Sequence, residues 1–589
     1  GGMRHAAVPF QQIVHELLPK RVHDASRNAV FQAMMAWGAD ADERSRGDVS
    51  AASVASTVEV RPPMRREQRV AKVEVTLQLG VEASGGIESD VNFNTDLYAL
   101  KSIERLAARL VVLAASMAEA SGHETVWVLP MMPDEEVERV LHMFQGRVVD
   151  IPQILVHKLF ELQAACTHDA VALRLLDTCV TYGQLARRAH EVANLLMQFS
   201  VPQASMVIML VPRSFELITG MMGLLLVGSA YVPVDPTYPR QRVEWMIGDV
   251  DPMAILLTAI TRPSLPAIDM HVVISLDGLS CALAAEAELL LRLPNVADVA
   301  FVIFTSGSTG RPKGSLNTHR GLVNQVAAFN KCFAMTTRDV VFQFASISFD
   351  MSVVDFFIAL CYGATLALWQ HGLWYDALLT AKGVTHLEIT PSALAHVDPD
   401  DLPALRCVVP AGEPLLLQDG QRWASRDVRT LNAYGPSECC IHTTISEIKT
   451  NDVVVTIGTP MDNIQVLIMD EHMQPTPIGV PSELHVGGVG VARGYVQRAE
   501  LTAEKFITPF SMGVLYKSGD LARWTSVGLI VHVGRIDFQV KLRGQRVELS
   551  EIEQAALDEG TVRLAAALVH EPSAGEQWLV LYVSPVALD

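Results

Sequence analysis

The residues Thr305 to Gly314 read TSGSTGRPKG. This short stretch holds four hydroxyls (Thr305, Ser306, Ser308, Thr309), three glycines (Gly307, Gly310, Gly314) and a lysine, Lys313. Hydroxyls and backbone N–H groups donate to anionic oxygens, and a lysine adds a positive point charge. Glycines let a backbone approach a ligand closely and can take φ > 0. Such a set suits a polyphosphate. The order is not that of the common P-loop, which places Gly-Lys-Ser/Thr at a helix start, because here Lys313 precedes Gly314. Composition alone leaves an ordinary polar turn open. Further on, Glu438 closes NAYGPSE and Asp520 lies in YKSGDLARW. Each reads on its own as a carboxylate capping a turn or facing solvent, and Tyr434 alone reads as core packing.

The surrounding elements are those that deliver side chains to a crevice. Before the loop, the run from Phe301 is apolar enough for a buried strand. Ile347–Phe357, Thr385–Leu394 and Val408–Leu415 each carry a β-branched or apolar run ending at small or polar residues. Strands of an α/β sheet present ligand-binding groups in this way. The uncharged run Leu217–Val234 is long enough for a membrane span. It is broken by Gly220, Gly223, Gly228 and Pro233, and reads better as a buried helix entering a strand. The glycines of 487–494 fail the dinucleotide fingerprint at Arg493. Leu129–Phe144 reads as an acidic-capped amphipathic helix, and Ala39–Pro63 as a polar loop or disordered insertion.

With 589 residues, half of them hydrophobic and 19% charged, the chain has material for three or four domains or subdomains with large α/β cores. A net charge of −19 argues against a nucleic-acid partner. The eight cysteines show no metal-ligand spacing, and the adjacent Cys439 and Cys440 read as packed thiols in a reducing, cytoplasmic setting. No secretory signal is visible, and Gly1-Gly2 ahead of Met3 reads as a cloning remnant.

Taken in order, TSGSTGRPKG, NAYGPSE, SELHVGGVGVARGY, YKSGDLARW and GRIDFQVK resemble the motifs of the adenylate-forming superfamily. The likeness is to the adenylation domains of nonribosomal peptide synthetases. PFQQIVHEL (Pro9–Leu17), DASRNAVFQAM (Asp24–Met34) and NTDLYALKSIERL (Asn94–Leu106) resemble the closing part of a condensation domain, without that family's HHxxxDG motif. The resemblance implies a layered α/β core and a small α+β C-terminal subdomain. It divides the chain into a condensation-domain remnant (3–125), a linker (126–150), an adenylation core (151–536) and a C-terminal subdomain (537–589).

It also implies two half-reactions. An acid's carboxylate attacks the α-phosphate of ATP, giving acyl-AMP and pyrophosphate, and the acyl group then passes to a carrier domain's phosphopantetheine thiol. By resemblance, Thr305, Ser306, Gly307, Ser308, Thr309, Gly310 and Lys313 hold the β/γ-phosphates. Glu438 helps hold Mg²⁺, Tyr434 stacks on adenine, Asp520 accepts the ribose hydroxyls, Arg535 contacts ribose or phosphate, and Asp537 is the hinge. His532 stands where the family has an alternative stacking aromatic. Asp350 implies an α-amino acid through its ammonium group. Met351, Val354, Glu388, Val409, Ala411, Ala433, Ile441 and His442 complete the pocket. Glu388 either favours a cationic substrate such as ornithine, lysine or arginine, or pairs with His442 around an apolar or aromatic one. The chain stops before the family's lid lysine, so impaired adenylation by a fragment is expected. The rival readings are a stand-alone acyl- or aryl-CoA ligase and a non-catalytic binding platform. Neither a membrane nor a nucleic acid is expected as a partner.

Overall fold

The computed structural model describes residues 33–37, 74–81, 87–120, 123, 125–267, 272–278, 295–307, 311–370, 372–509, 512–537, 539–542, 545–559, 561–573 and 576–585. The chain divides into two compact units, Gly1–Glu138 and Arg139–Asp589. In the first, strand Ala33–Trp37 runs parallel to Val75–Val81, which pairs antiparallel with Ile87–Phe93. Helix Leu100–Glu119 follows. Pro9–Leu17, the start of Asp24–Met34 and the expected loop Ala39–Pro63 lie outside the described residues. The helix expected over Leu129–Phe144 is shorter, with an α-helical turn at Asp134–Glu138 and a π-helical turn at Arg139–Met143. Pro130 and Pro133 each disfavour helical geometry in the residue before them, which delays the start.

In the second unit two largely parallel sheets carry most of the core. One is six-stranded, in the order Lys313–Thr318, Val299–Thr305, Ala230–Pro233, Met206–Leu210, Ala254–Leu257, Val273–Ser275. The other is nine-stranded and runs from Thr459–Pro460 to Thr178–Thr181, with Arg429–Tyr434, Cys407–Pro410, His386–Ile389 and Val340–Phe342 side by side in its middle. Helices Phe215–Leu226 and Met351–Leu360 are buried almost all round, as helices without a polar face must be. The run Leu217–Val234 is thus a helix followed by strand Ala230–Pro233. Among the described residues no helix is long and apolar enough to cross a membrane.

Two expectations of local structure change. Ile347–Phe357 is not a strand ending at the crevice but the entry to helix Met351–Leu360. A short, largely apolar run interrupted by single polar residues does not distinguish strand from helix. SGDL is not a turn: Ser518 to Leu521 lie inside strand Leu515–Trp524, kinked by Gly519 at φ +73°. This strand belongs to a third sheet with Ile464–Met469, Ser482–Gly488, Phe506–Ile507 and Ile530–Arg535. The C-terminal part is a hairpin, Gln539–Leu542 with Gln545–Glu548, then helix Leu549–Asp558 packed on a second hairpin, Val562–Ser573 with Glu576–Pro585.

Candidate active site

The hydroxyl-rich stretch begins and ends on two paired strands. Strand Val299–Thr305 pairs antiparallel with Lys313–Thr318, and Thr305 lies opposite Lys313. Gly307 and Gly314 are not among the glycines with positive φ. They serve close packing instead, since a Cβ on Gly307 would lie 2.2 Å from the Arg311 carbonyl oxygen, and one on Gly314 2.9 Å from Val302. Ser308, Thr309 and Gly310 lie outside the described residues. Thr305 and Ser306 are buried, and Thr305 Oγ1 has no hydrogen-bond partner among the described residues.

Lys313 is buried and its Nζ lies 3.3 Å from Glu438 Oε1. It also donates to Tyr495 Oη at 3.1 Å, and that hydroxyl donates to the same Glu438 oxygen at 2.8 Å. Tyr495 was not among the residues expected to act. Tyr516 Oη lies 3.4 Å away, and Lys313 Nζ sits 4.8 Å from the Tyr495 ring centroid. Burial and the Glu438 carboxylate hold the Tyr495 phenol far above its ordinary value, so its hydroxyl remains a donor.

A second cluster forms where strands Leu515–Trp524 and Ile530–Arg535 pair, with Asp520 directly opposite Arg535. A register shift follows at Leu521/Ala522, the kind of bulge that re-aims a side chain. Tyr434 Oη donates to Asp520 Oδ2 at 2.5 Å, and Arg535 Nη1 to Oδ1 at 2.7 Å. His532 Nε2 lies 3.3 Å from Oδ1, and its ring is tilted beside Tyr434 at 6.1 Å. Arg535 also grips Asp537 through Nε and Nη2, at 2.7 and 2.8 Å. Burial, then the Asp520 carboxylate, raises the Tyr434 phenol well above its usual value.

The third cluster is a buried pocket. Asp350, Met351, Val354, Glu388, Val409, Ala411, Ala433, Ile441 and His442 are all buried. Glu388 and Val409 are neighbours across parallel strands, as are Ala411 and Ala433. His442 Nε2 lies 2.7 Å from Glu388 Oε1, with its ring stacked on Phe329. Burial and the nearby Asp350 push the Glu388 carboxyl well up, and burial with Glu388 does the same to Asp355. Asp355 is an acid that sequence reading did not single out. Beside Asp355 and Glu388 lies a cavity of about 10 Å³, room for roughly one water.

One turn joins the three clusters. Tyr434 reaches Asp520, Glu438 reaches Lys313, and His442 reaches Glu388. Gly435 makes the turn possible, because a Cβ there would lie 1.8 Å from the Ile441 carbonyl oxygen. Ile441 has φ +91°, a costly conformation for a β-branched residue, and such strain concentrates at functional turns.

Comparison with known proteins agrees with this arrangement. The family model described as "AMP-binding enzyme" matches residues 160–496, and the chain belongs to that family. It is 34% identical over 610 residues to chondramide synthase of Chondromyces crocatus, covering 99% of this chain and 15% of that protein. It is 33% identical over 583 residues to bacitracin synthase 3 of Bacillus licheniformis, covering 98% of this chain and 9% of the relative. A four-domain nonribosomal peptide synthetase bound to AMP and glycine matches with a TM-score of 0.77 at 26% identity, over 100% of this chain and 45% of that one. Another synthetase, bound to α-methyl-L-serine-AMP, matches with a TM-score of 0.72 at 27% identity, over 82% and 55%. The fold is therefore the adenylate-forming one, and within the family this is an adenylation domain of nonribosomal peptide synthetase type. The chain spans only 15% of the length of the chondramide synthase and 9% of that of bacitracin synthase 3.

Proposed function

We propose that this chain activates an α-amino acid with ATP, giving aminoacyl-AMP and pyrophosphate, for transfer to the phosphopantetheine thiol of a carrier domain. The observation that carries the reading is the single turn Tyr434–His442, which touches all three clusters. A carboxylate attacking a triphosphate brings like charges together, so catalysis rests on positioning and on offsetting charge. Lys313 and the hydroxyls and N–H groups of 305–310 hold the β/γ-phosphates. Tyr434 and Asp520 hold the nucleoside. Asp520 accepts the ribose hydroxyls, for which an ionised, acceptor-only carboxylate is the natural partner. Arg535 steadies Asp520 and ties it to Asp537, the proposed hinge of the C-terminal subdomain.

Glu438 with the Thr305 hydroxyl, which has no hydrogen-bond partner among the described residues, fits Mg²⁺, which takes one or two protein carboxylates and fills its shell with phosphate oxygens and water. Among the described residues no group of three or more acidic, His or Cys side chains would hold a metal unaided. When bound, Mg²⁺ neutralises phosphate charge.

Asp350 receives the α-ammonium group, and the side chain lies among Met351, Val354, Val409, Ala411, Ala433, Ile441 and the Glu388–His442 pair. Glu388 is pushed towards its neutral form and engaged by His442, and the cavity beyond it admits roughly one water. These features favour an uncharged side chain over a cationic one. Residues 3–125 are the C-terminal part of a condensation domain, 126–150 the linker, 151–536 the adenylation core and 537–589 its small subdomain. Calorimetric titration of Mg·ATP with and without each neutral amino acid tests the reading. An activating enzyme shows one amino acid tightening nucleotide binding or releasing reaction heat, whereas a binding platform shows no coupling with any.

A further inference from the structure

We propose that Tyr495 is a positioning residue for nucleotide activation, its hydroxyl bridging the Lys313 ammonium and the Glu438 carboxylate and so orienting both for phosphate and metal. The proposal rests on the reading of Lys313 and Glu438 given above. Left to Coulomb attraction alone, a buried lysine and carboxylate close on each other, since their interaction strengthens as the local dielectric falls. Lys313 and Glu438 form such an ion pair, and a pair joined only to each other has its charge turned inward with nothing to fix its orientation toward phosphate and cation. Here a third group takes part. Lys313 donates to Tyr495 Oη at 3.1 Å and Tyr495 donates to Glu438 Oε1 at 2.8 Å, while the direct Lys313–Glu438 approach is 3.3 Å.

The polarity of this relay is set by chemistry. An ammonium has only donors and a carboxylate only acceptors, whereas a phenol has one donor and can also accept. Tyr495 therefore offers its proton to Glu438 and a lone pair to Lys313. Its place is fixed from several sides. The ring packs edge-on to Phe506 at 5.3 Å, and the backbone N–H donates to Thr502 Oγ1 at 3.0 Å. Ser315 bridges to Tyr495 next to the phosphate-loop hairpin. The residue thus links that hairpin to the turn bearing Glu438 through groups that are already rigid, as preorganised electrostatic sites need.

The test is Tyr495→Phe in the full chain, which keeps the ring and its packing under Lys313 and removes only the hydroxyl. Binding of a non-hydrolysable ATP analogue is measured by calorimetry across a Mg²⁺ titration, with amino-acid affinity and the unfolding midpoint measured in parallel. We expect analogue affinity at fixed Mg²⁺ to fall about tenfold, the scale of one charge-assisted hydrogen bond. The half-saturating Mg²⁺ concentration should rise, with amino-acid affinity unchanged. KM for Mg·ATP should rise more than kcat falls. Tyr516→Phe, which removes the more distant hydroxyl, should change analogue affinity less than twofold.

Unchanged analogue and Mg²⁺ dependence in Tyr495→Phe overturns the proposal, as does an equal loss in amino-acid affinity or an equal effect of Tyr516→Phe. Glu438→Gln separates the premise from the inference. If it loses the Mg²⁺ dependence while Tyr495→Phe keeps it, only the role of Tyr495 fails. If Glu438→Gln also keeps it, the reading of Glu438 fails and the proposal falls with it.

Discussion

Asp520 is addressed by Tyr434, Arg535 and His532, so its charge orients three neighbours besides any ligand. Asp520→Asn keeps the shape and removes the charge. Hydrogen bonds to charged groups contribute roughly 1.5–3 kcal/mol. ATP affinity measured by calorimetry should therefore fall about 10- to 100-fold, with amino-acid affinity little changed; an unaltered ATP dissociation constant would remove Asp520 from the nucleotide site. At this scale the sequence named Lys313, Glu438, Tyr434 and Asp520 because each sits in a distinctive local string. It could not name Tyr495 or Asp355. A tyrosine in Ala-Arg-Gly-Tyr-Val and an acid in an apolar helix look like packing until the chain folds. The alternatives at Glu388 stayed open for the same reason, since its partner His442 lies 54 residues away.

Between elements, helices Val156–Cys166 and His319–Phe333 pack with His157 edge-on to His319 at 5.7 Å, both buried. Burial, then the neighbouring His319, lowers His157 to about 3, and burial lowers His319 to about 4. Both are therefore neutral in the folded chain, with pKa values below the unfolded one. Their contribution to stability is fully present above the unfolded pKa of about 6.5. It is lost as pH falls from there through about 4 and then 3, because the unfolded chain binds protons first. Each histidine should add a slope of about 1.4 kcal/mol per pH unit in that window. Denaturant unfolding at several pH values between 7 and 4.5 should show His157→Phe with a shallower acid loss than the parent; parallel curves would refute the assignment. Strand and buried-helix patterns were legible in runs such as Phe301–Thr305 and Leu217–Val234. The helical entry after Asp350 and the strand course of SGDL were not, because short, largely apolar runs and single glycines fit either geometry until neighbours decide.

Across the second unit, a six-stranded and a nine-stranded sheet, with a third sheet bearing Asp520, converge on the turn Tyr434–His442. That convergence is the physical content of the proposed function: separate sheets bring phosphate, nucleoside and amino-acid groups onto one rigid support. The most direct measurement is amino-acid-dependent exchange of labelled pyrophosphate into ATP, run on the parent chain and on Asp350→Ala with a panel of amino, fatty and aryl acids. Removing one partner of a buried ion pair is strongly destabilising to that pair. The account predicts exchange with an amino acid bearing an uncharged side chain, and a loss of about 100-fold or more in Asp350→Ala. Exchange driven by fatty or aryl acids, or exchange indifferent to Asp350, would contradict it.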